Sequence, residues 1–205
     1  MKRILIHAVL ANVLYSDGFM MPPCSQLIAP KPFPDVPITS KKSKHQMSSG
    51  GDNEGMILAD DEPLSSKFQR AVVLQRAGDY SSALEEYETF VKAAKSCDVS
   101  PEKYAEVHVN MGAVYMRLGK RKEAKINFEV ALKYRKIGNA HVNLALLTLA
   151  EGQKSVNPTD GINALKEAED HCRIAVDLND DIHSFQRAST LLVDIGKMLA
   201  QVNGR

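Results

Sequence analysis

The sequence predicts an all-α fold in which helical hairpins follow one another along residues 63–202. Three observations support this prediction. Apolar residues recur there at three- and four-residue steps, Gly78 and Gly119 interrupt that stepping, and one hairpin pattern returns at a similar interval. Amphipathic helices bury one face against a neighbour, so we expect about three hairpins and a final helix.

The clearest hairpin spans Asn110–Leu132, where two helices flank the polar turn Gly119–Arg121. Their apolar residues are Met111, Val114, Tyr115 and Leu118, then Ala124, Phe128, Ala131 and Leu132. Gly112 and Ala124 have almost no side chain, so the two backbones are expected to approach closely beside Tyr115 and Phe128. Gly119 is expected to end the first helix.

Six residues of this hairpin fall on a recurring spacing. His108, Met111, Gly112, Tyr115, Ala124 and Phe128 lie on the pattern W-x2-L-G-x2-Y, A-x3-F, and the hairpin therefore resembles the tetratricopeptide repeat. His108 replaces the family's Trp, Met111 its Leu, and Lys136 its closing Pro. The resemblance implies a right-handed superhelical solenoid whose first helices line a concave groove.

The predicted repeats span about 64–97, 102–136 and 138–179, and a capping helix spans 181–202. In the first repeat, helices Lys67–Ala77 and Ser81–Lys95 flank a turn at Gly78, and a surplus loop follows at Ser96–Glu102. In the third repeat, the first helix is expected to end at Gly152 and the second to begin at Gly161. The polar run Gln153–Asp160 between them is predicted to be an inserted surface loop.

The resemblance implies a partner-binding groove lined by the first helix of each repeat, and hence a non-catalytic adaptor or assembly factor that binds a protein segment. The implied lining is Phe68, Gln69, Val72, Gln75, Arg76, Val109, Asn110, Ala113, Met116, Arg117, Val142, Asn143, Leu146 and Leu149. Asn110 and Asn143 occupy equivalent positions, and a carboxamide both donates and accepts, which suits a peptide backbone. The alternative is that these two asparagines hold neighbouring helices together.

Relatives in this family that bind the carboxylate end of chaperones use a Lys/Asn/Asn/Lys/Arg set. Only Asn110 matches that set here, because Phe68, Val72, Asn139 and Asn143 occupy its other places. The cations that would neutralise a carboxylate are missing, so such a clamp is not expected.

A second hypothesis for function is a permanent structural subunit of a larger complex. Such a subunit would dock through its convex face and the 153–160 loop. The final helix is likewise open to two interpretations: it caps the solenoid, or it binds a partner in trans or the groove in cis.

Composition and motifs argue against several other functions. The net charge of +1 does not favour nucleic acid, and no recognisable catalytic, cofactor or metal-binding spacing occurs among the six histidines or elsewhere. His108 and His141 are expected at the Trp-like packing position, and His171 and His183 to be isolated. The sequence does not decide whether Cys97 and Cys172 form a disulfide, and Cys172 is expected to be buried.

The first 62 residues have the composition of targeting and linker sequence. Residues 1–18 are signal-peptide-like: Lys2 and Arg3 precede an apolar run too short for a permanent membrane span. Residues 19–51 hold six prolines and one acid and are transit-peptide-like, and 52–62 form an acidic linker. Phe19 directly follows the signal-peptide cleavage site expected after Gly18. With this aromatic residue, the order of segments resembles the bipartite plastid-targeting presequence of algae with secondary plastids. The alternatives are a secreted or endomembrane protein and a cytosolic one.

Overall fold

The computed structural model describes residues 63–203, and the side chains of 63–202. The signal-like segment 1–18, the transit-like segment 19–51 and the linker 52–62 lie outside these residues. Seven α-helices and one short 3-10 helix make up the described part, which contains no strand, so the all-α prediction is confirmed there. None of the described helices combines the length and apolar character needed to cross a membrane.

The helices follow closely on one another along the chain. They are α1 (Leu64–Ala77), α2 (Tyr80–Ser96), α3 (Ala105–Arg117), α4 (Arg121–Tyr134), α5 (Gly138–Lys154), α6 (Pro158–Leu178) and α7 (Ile182–Asn203), with the 3-10 helix at Pro101–Tyr104. The described residues divide into two compact units, 63–100 and 101–203.

The 63–100 unit is a single hairpin of α1 and α2. Gly78 ends α1 with φ of 84°, and the N–H groups of Gly78 and Asp79 donate to the Gln75 and Leu74 carbonyls, which is a Schellman ending. The Asp79 carboxylate then accepts from the Ser82 N–H at 3.1 Å. Hydrogen bonding from the Ser82 side chain and from the Ser82 N–H lowers the Asp79 pKa. Both helix ends at this turn are therefore satisfied by residues of the turn itself.

The α3–α4 hairpin uses the same glycine device. Gly119 has φ of 73°, and the N–H groups of Gly119 and Lys120 donate to the Met116 and Tyr115 carbonyls, so the predicted stop is confirmed. Gly112 lies against the ring of Phe128: a Cβ added there would stand 2.5 Å from its nearest carbon. The small residue is what allows α3 to approach the buried Phe128 on α4.

Helix α5 lies at the centre of the 101–203 unit. It packs against α4 and α6 and also touches α3 and α7, and eleven of its seventeen residues are buried. Ala140, Leu144 and Leu147 join one hydrophobic cluster with α3 and α4. Other α5 residues, including Val142 and Leu149, join a second cluster with α6 and α7. Burial on two sides explains why α5 is apolar around most of its circumference.

The prediction of a surface loop at 153–160 is wrong. Helix α5 continues through Gly152 to Lys154, and α6 begins at Pro158, which leaves only 155–157 as connection. Gly152 does not end the helix because it sits inside it, against Gly161 and Ala164 of α6. Asn157 accepts from the Thr159 N–H at 3.1 Å and Pro158 occupies the first turn, a sequence signal for the true helix start. The extra residues of the third hairpin therefore lengthen its helices.

Helix α7 packs on α6 and α5 within the same chain. Its inward residues Ala188, Leu191, Ile195 and Met198 close the second hydrophobic cluster. In this placement α7 covers one side of the α5–α6 hairpin, and its outward side leaves Ile182 and Val193 each 58% exposed.

Candidate functional site

On α3, the predicted partner-binding residues form a half-buried row. Asn110, Ala113 and Arg117 follow at helical spacing, with Met116 beside them, and all four are partly accessible. Val109 differs because it is 3% exposed and belongs to the cluster formed with α4 and α5. The row therefore contains one carboxamide, on Asn110, and one guanidinium, on Arg117, about two turns of helix apart.

On α5, the corresponding row carries two more carboxamides. Asn139, Asn143 and Leu146 also follow at helical spacing, in steps of four and then three residues, and Asn143 is 7% exposed. We call Asn110, Asn139 and Asn143 the asparagine set. Asn139 was noted in the sequence only as a departure from the carboxylate clamp, and its Oδ1 is buried with no hydrogen-bond partner among the described residues.

The asparagine set makes no side-chain hydrogen bond within the described part of the chain. This holds for Asn110 and Asn143 as well as for the Asn139 oxygen. The hypothesis that Asn110 and Asn143 tie neighbouring helices together therefore has no hydrogen bond to support it. Within the set, the Asn139 oxygen is the atom that is both fully buried and unpaired, and leaving a buried polar group without a partner costs roughly 1–3 kcal/mol.

Several residues predicted to line the groove lie in the interior instead. Val142 is fully buried and Leu149 is 1% exposed, because both belong to the hydrophobic cluster that α5 forms with α6 and α7. They contribute packing, and the accessible lining from α5 is reduced to Asn143 at its edge and Leu146. The sequence could not distinguish these residues from Leu146 because all three are apolar and share a helix.

In the 63–100 unit, two of the five predicted residues belong to the core. Phe68 is 4% exposed, with its ring centroid 6.1 Å from that of Tyr87 and 5.9 Å from that of Phe90. Gln75 is 7% exposed and accepts a 2.6 Å hydrogen bond from the Tyr87 hydroxyl. Gln69 and Arg76 are exposed and Val72 is half-buried.

His108 is a packing residue between α3 and α4. Its ring centroid lies 6.2 Å from that of Tyr104 and 6.1 Å from that of Tyr134. Its Nδ1 lies 3.2 Å from Asn127 Oδ1, while Asn127 Nδ2 donates to the Glu123 carbonyl. That second bond turns the Asn127 oxygen toward the ring, so Nδ1 of His108 carries the proton.

His171 is not isolated, contrary to the sequence prediction. Its Nδ1 lies 3.1 Å from Nδ1 of His141, and the pair joins α6 to α5. The two histidines are 30 residues apart and on different helices, so no spacing rule could have found them.

The described residues were compared with what metal binding and thiol chemistry require. No group of three histidine, cysteine or acidic side chains is placed to hold a metal ion there. Cys97 is exposed and Cys172 buried, and both are free thiols. Burial raises the pKa of the Cys172 thiol to about 12, so it stays protonated near neutral pH.

Comparison of the chain with protein-family models, with curated proteins and with solved structures finds no match. The resemblance to the tetratricopeptide repeat therefore rests on the motif residues of the chain itself.

Proposed function

We propose that the 101–203 unit binds an extended protein segment along the accessible rows of α3 and α5, as a non-catalytic adaptor or assembly factor. The asparagine set carries this proposal. Three carboxamides on two adjacent helices, with Asn143 buried, have no hydrogen-bond partner among the described residues.

An extended peptide supplies the chemistry that these carboxamides lack. Each peptide unit presents one N–H and one C=O, and each carboxamide presents an acceptor oxygen and a donor NH2 group. Each hydrogen bond formed between a carboxamide and the segment contributes about 0.5–1.5 kcal/mol net. Ala113 and Leu146, both partly accessible, would contact apolar side chains of the segment.

The order of packing in the 101–203 unit supports a tetratricopeptide-like arrangement, which belongs to the same proposal. Each helix from α3 to α6 packs on the next helix along the chain. Helix α5 additionally touches α3, the first helix of the preceding hairpin, and the final helix α7. First helices that touch one another form one wall of a stack, and a segment bound there would contact residues of several repeats.

The second candidate function, a permanent structural subunit, is favoured by one observation. Apolar side chains are exposed on the second helices, α4 and α6, and on the connection between α5 and α6. Ile126 of α4 is 58% exposed, Ile174 of α6 is 41% exposed, and Val156 of the connection is 66% exposed. Apolar groups on an outer surface suit a lasting interface. A subunit would co-purify with one assembly in fixed stoichiometry, whereas an adaptor would exchange partners.

A native pull-down with full-length protein separates these functions. We would compare the wild type, the double variant N110A/N143A and the control N163A, which removes an exposed asparagine on α6. An adaptor's partners are lost from N110A/N143A and retained by N163A. If N110A/N143A recovers the same partners as the wild type, the proposed binding face is contradicted. If one assembly co-purifies in fixed stoichiometry and only Ile126→Asp disrupts it, the structural-subunit function is supported.

Plastid import by the secretory route stays part of the proposal, on the sequence of residues 1–51 alone. In a fluorescent-protein fusion, Phe19→Ala is expected to abolish plastid accumulation. A plastid signal unchanged by Phe19→Ala would contradict the bipartite presequence.

A further inference from the structure

Two half-buried imidazole rings meet between α5 and α6. Nδ1 of His141 lies 3.1 Å from Nδ1 of His171, and the ring centroids are 5.4 Å apart with 41° between the planes. The centroid distance equals the nitrogen distance plus one ring radius at each end. The two nitrogens therefore point at each other nearly head-on, which is hydrogen-bond geometry.

This contact fixes where protons reside. Two neutral imidazoles joined through their Nδ1 atoms share one N–H between them, so one ring is the Nδ1–H tautomer and the other has a bare Nδ1. A first added proton goes to Nε2 of the donor ring and leaves the N–H···N bond in place. A second proton must occupy the bare Nδ1, which replaces the bond by two donors and two like charges in contact.

The surroundings of the pair oppose positive charge. Burial is the largest cause that lowers the pKa of His141, to about 4, and His171 adds to it while Asp180 opposes it. Burial also lowers the pKa of His171, aided by Lys125 of α4 and opposed by Glu167 and Asp170 of α6. His141 lies in the first turn of α5, whose amino-terminal dipole disfavours a cation.

We propose that His141 and His171 form a proton-operated latch between α5 and α6, which holds with at most one added proton and opens with the second. This role is independent of partner binding. It requires only that the contact be lost when both rings are charged.

The direction of the pH effect follows from proton binding. The pKa of an unfolded histidine is near 6.5, and the pKa values of both rings are lower in the folded protein. At pH values between the unfolded and the folded pKa, the open state therefore binds more protons than the closed state. Acidification therefore favours the open state. Stability is complete above about pH 6.5 and is lost as the pH falls toward about 4.

Hydrogen exchange of the full-length protein tests the latch between pH 7 and 4. We expect the opening equilibrium of α5 and α6 amides, corrected for intrinsic exchange, to rise up to about tenfold per pH unit for each proton taken up. The α1 and α2 amides serve as internal reference because residues 63–100 contain no histidine. The double variant H141N/H171N should lose this dependence, while H183N, which removes an exposed histidine of α7, should keep it.

An unchanged pH dependence in H141N/H171N overturns the latch. Should that variant fail to fold, nitrogen NMR of the wild-type rings decides: a latch requires one Nδ1–H and one Nε2–H tautomer at pH 7 and two separated titration steps. Identical tautomers, or one joint step at an ordinary histidine pKa, would also overturn it.

Discussion

The carboxylate of Asp180 accepts a shared hydrogen bond from the backbone N–H of Gly138, with its two oxygens at 3.2 and 3.1 Å. Asp180 lies between α6 and α7, and Gly138 begins α5, 42 residues earlier. A side chain from the end of the third hairpin thus caps its first helix. No side chain adjacent to Gly138 in sequence provides that cap, since Ile137 precedes it.

Removing this cap should destabilise the 101–203 unit. We expect Asp180→Ala to lower the free energy of unfolding by about 1 kcal/mol, because the Gly138 N–H loses its acceptor and the α5 dipole its anion. Asp180→Asn keeps an acceptor and should cost less. Urea unfolding followed by circular dichroism measures both, and equal midpoints for the wild type and Asp180→Ala would show that the cap contributes nothing.

Two helical glycines should respond oppositely to alanine. At Gly112 the new methyl group meets the buried Phe128 ring at 2.5 Å, so Gly112→Ala should destabilise by roughly 1–3 kcal/mol. At Gly196, in α7, nothing lies within 4 Å, so Gly196→Ala should stabilise by roughly 0.5–1 kcal/mol through the unfolded chain. Thermal unfolding of the two variants measures this contrast, and a shift of the same sign in both would refute the packing described for Gly112.

The two described cysteines should differ in reactivity. Cys97 is exposed, whereas burial raises the pKa of Cys172 to about 12, so its thiolate is scarce at pH 8. A short pulse of N-ethylmaleimide at pH 8, followed by peptide mass spectrometry, should label Cys97 and spare Cys172. Denaturant should expose both. Rapid labelling of Cys172 in the folded protein would mean that the second hydrophobic cluster opens readily.

The hairpins around Gly78 and Gly119 could be predicted from the sequence because their signals are local. A glycine with positive φ ends each first helix, and apolar stepping on either side gives the helices. The α5–α6 junction was mispredicted because Gly152 has the usual residue type of a helix end but serves close packing against Ala164. Asn157 and Pro158 are a typical sequence signal for a helix start, but the polar residues around them favoured the prediction of a loop.

The candidate site could be predicted only in part. The equivalent positions of Asn110 and Asn143 follow from the resemblance to the tetratricopeptide repeat, but their lack of hydrogen-bond partners depends on the contacts of folded helices. The burial of Val142 and Leu149 depends on packing against α6 and α7, later segments of the chain. The His141–His171 contact depends on how α5 and α6 cross, which helical periodicity does not encode.

The affinity of a recovered partner segment, measured by calorimetry on full-length protein, tests the central claim most directly. If the asparagine set binds a peptide backbone, N110A/N143A should bind roughly 5- to 150-fold more weakly than the wild type, since two hydrogen bonds of about 0.5–1.5 kcal/mol each are lost. N163A should match the wild type, and circular dichroism should show equal helicity in all three. Equal affinity of N110A/N143A and the wild type would contradict the claim.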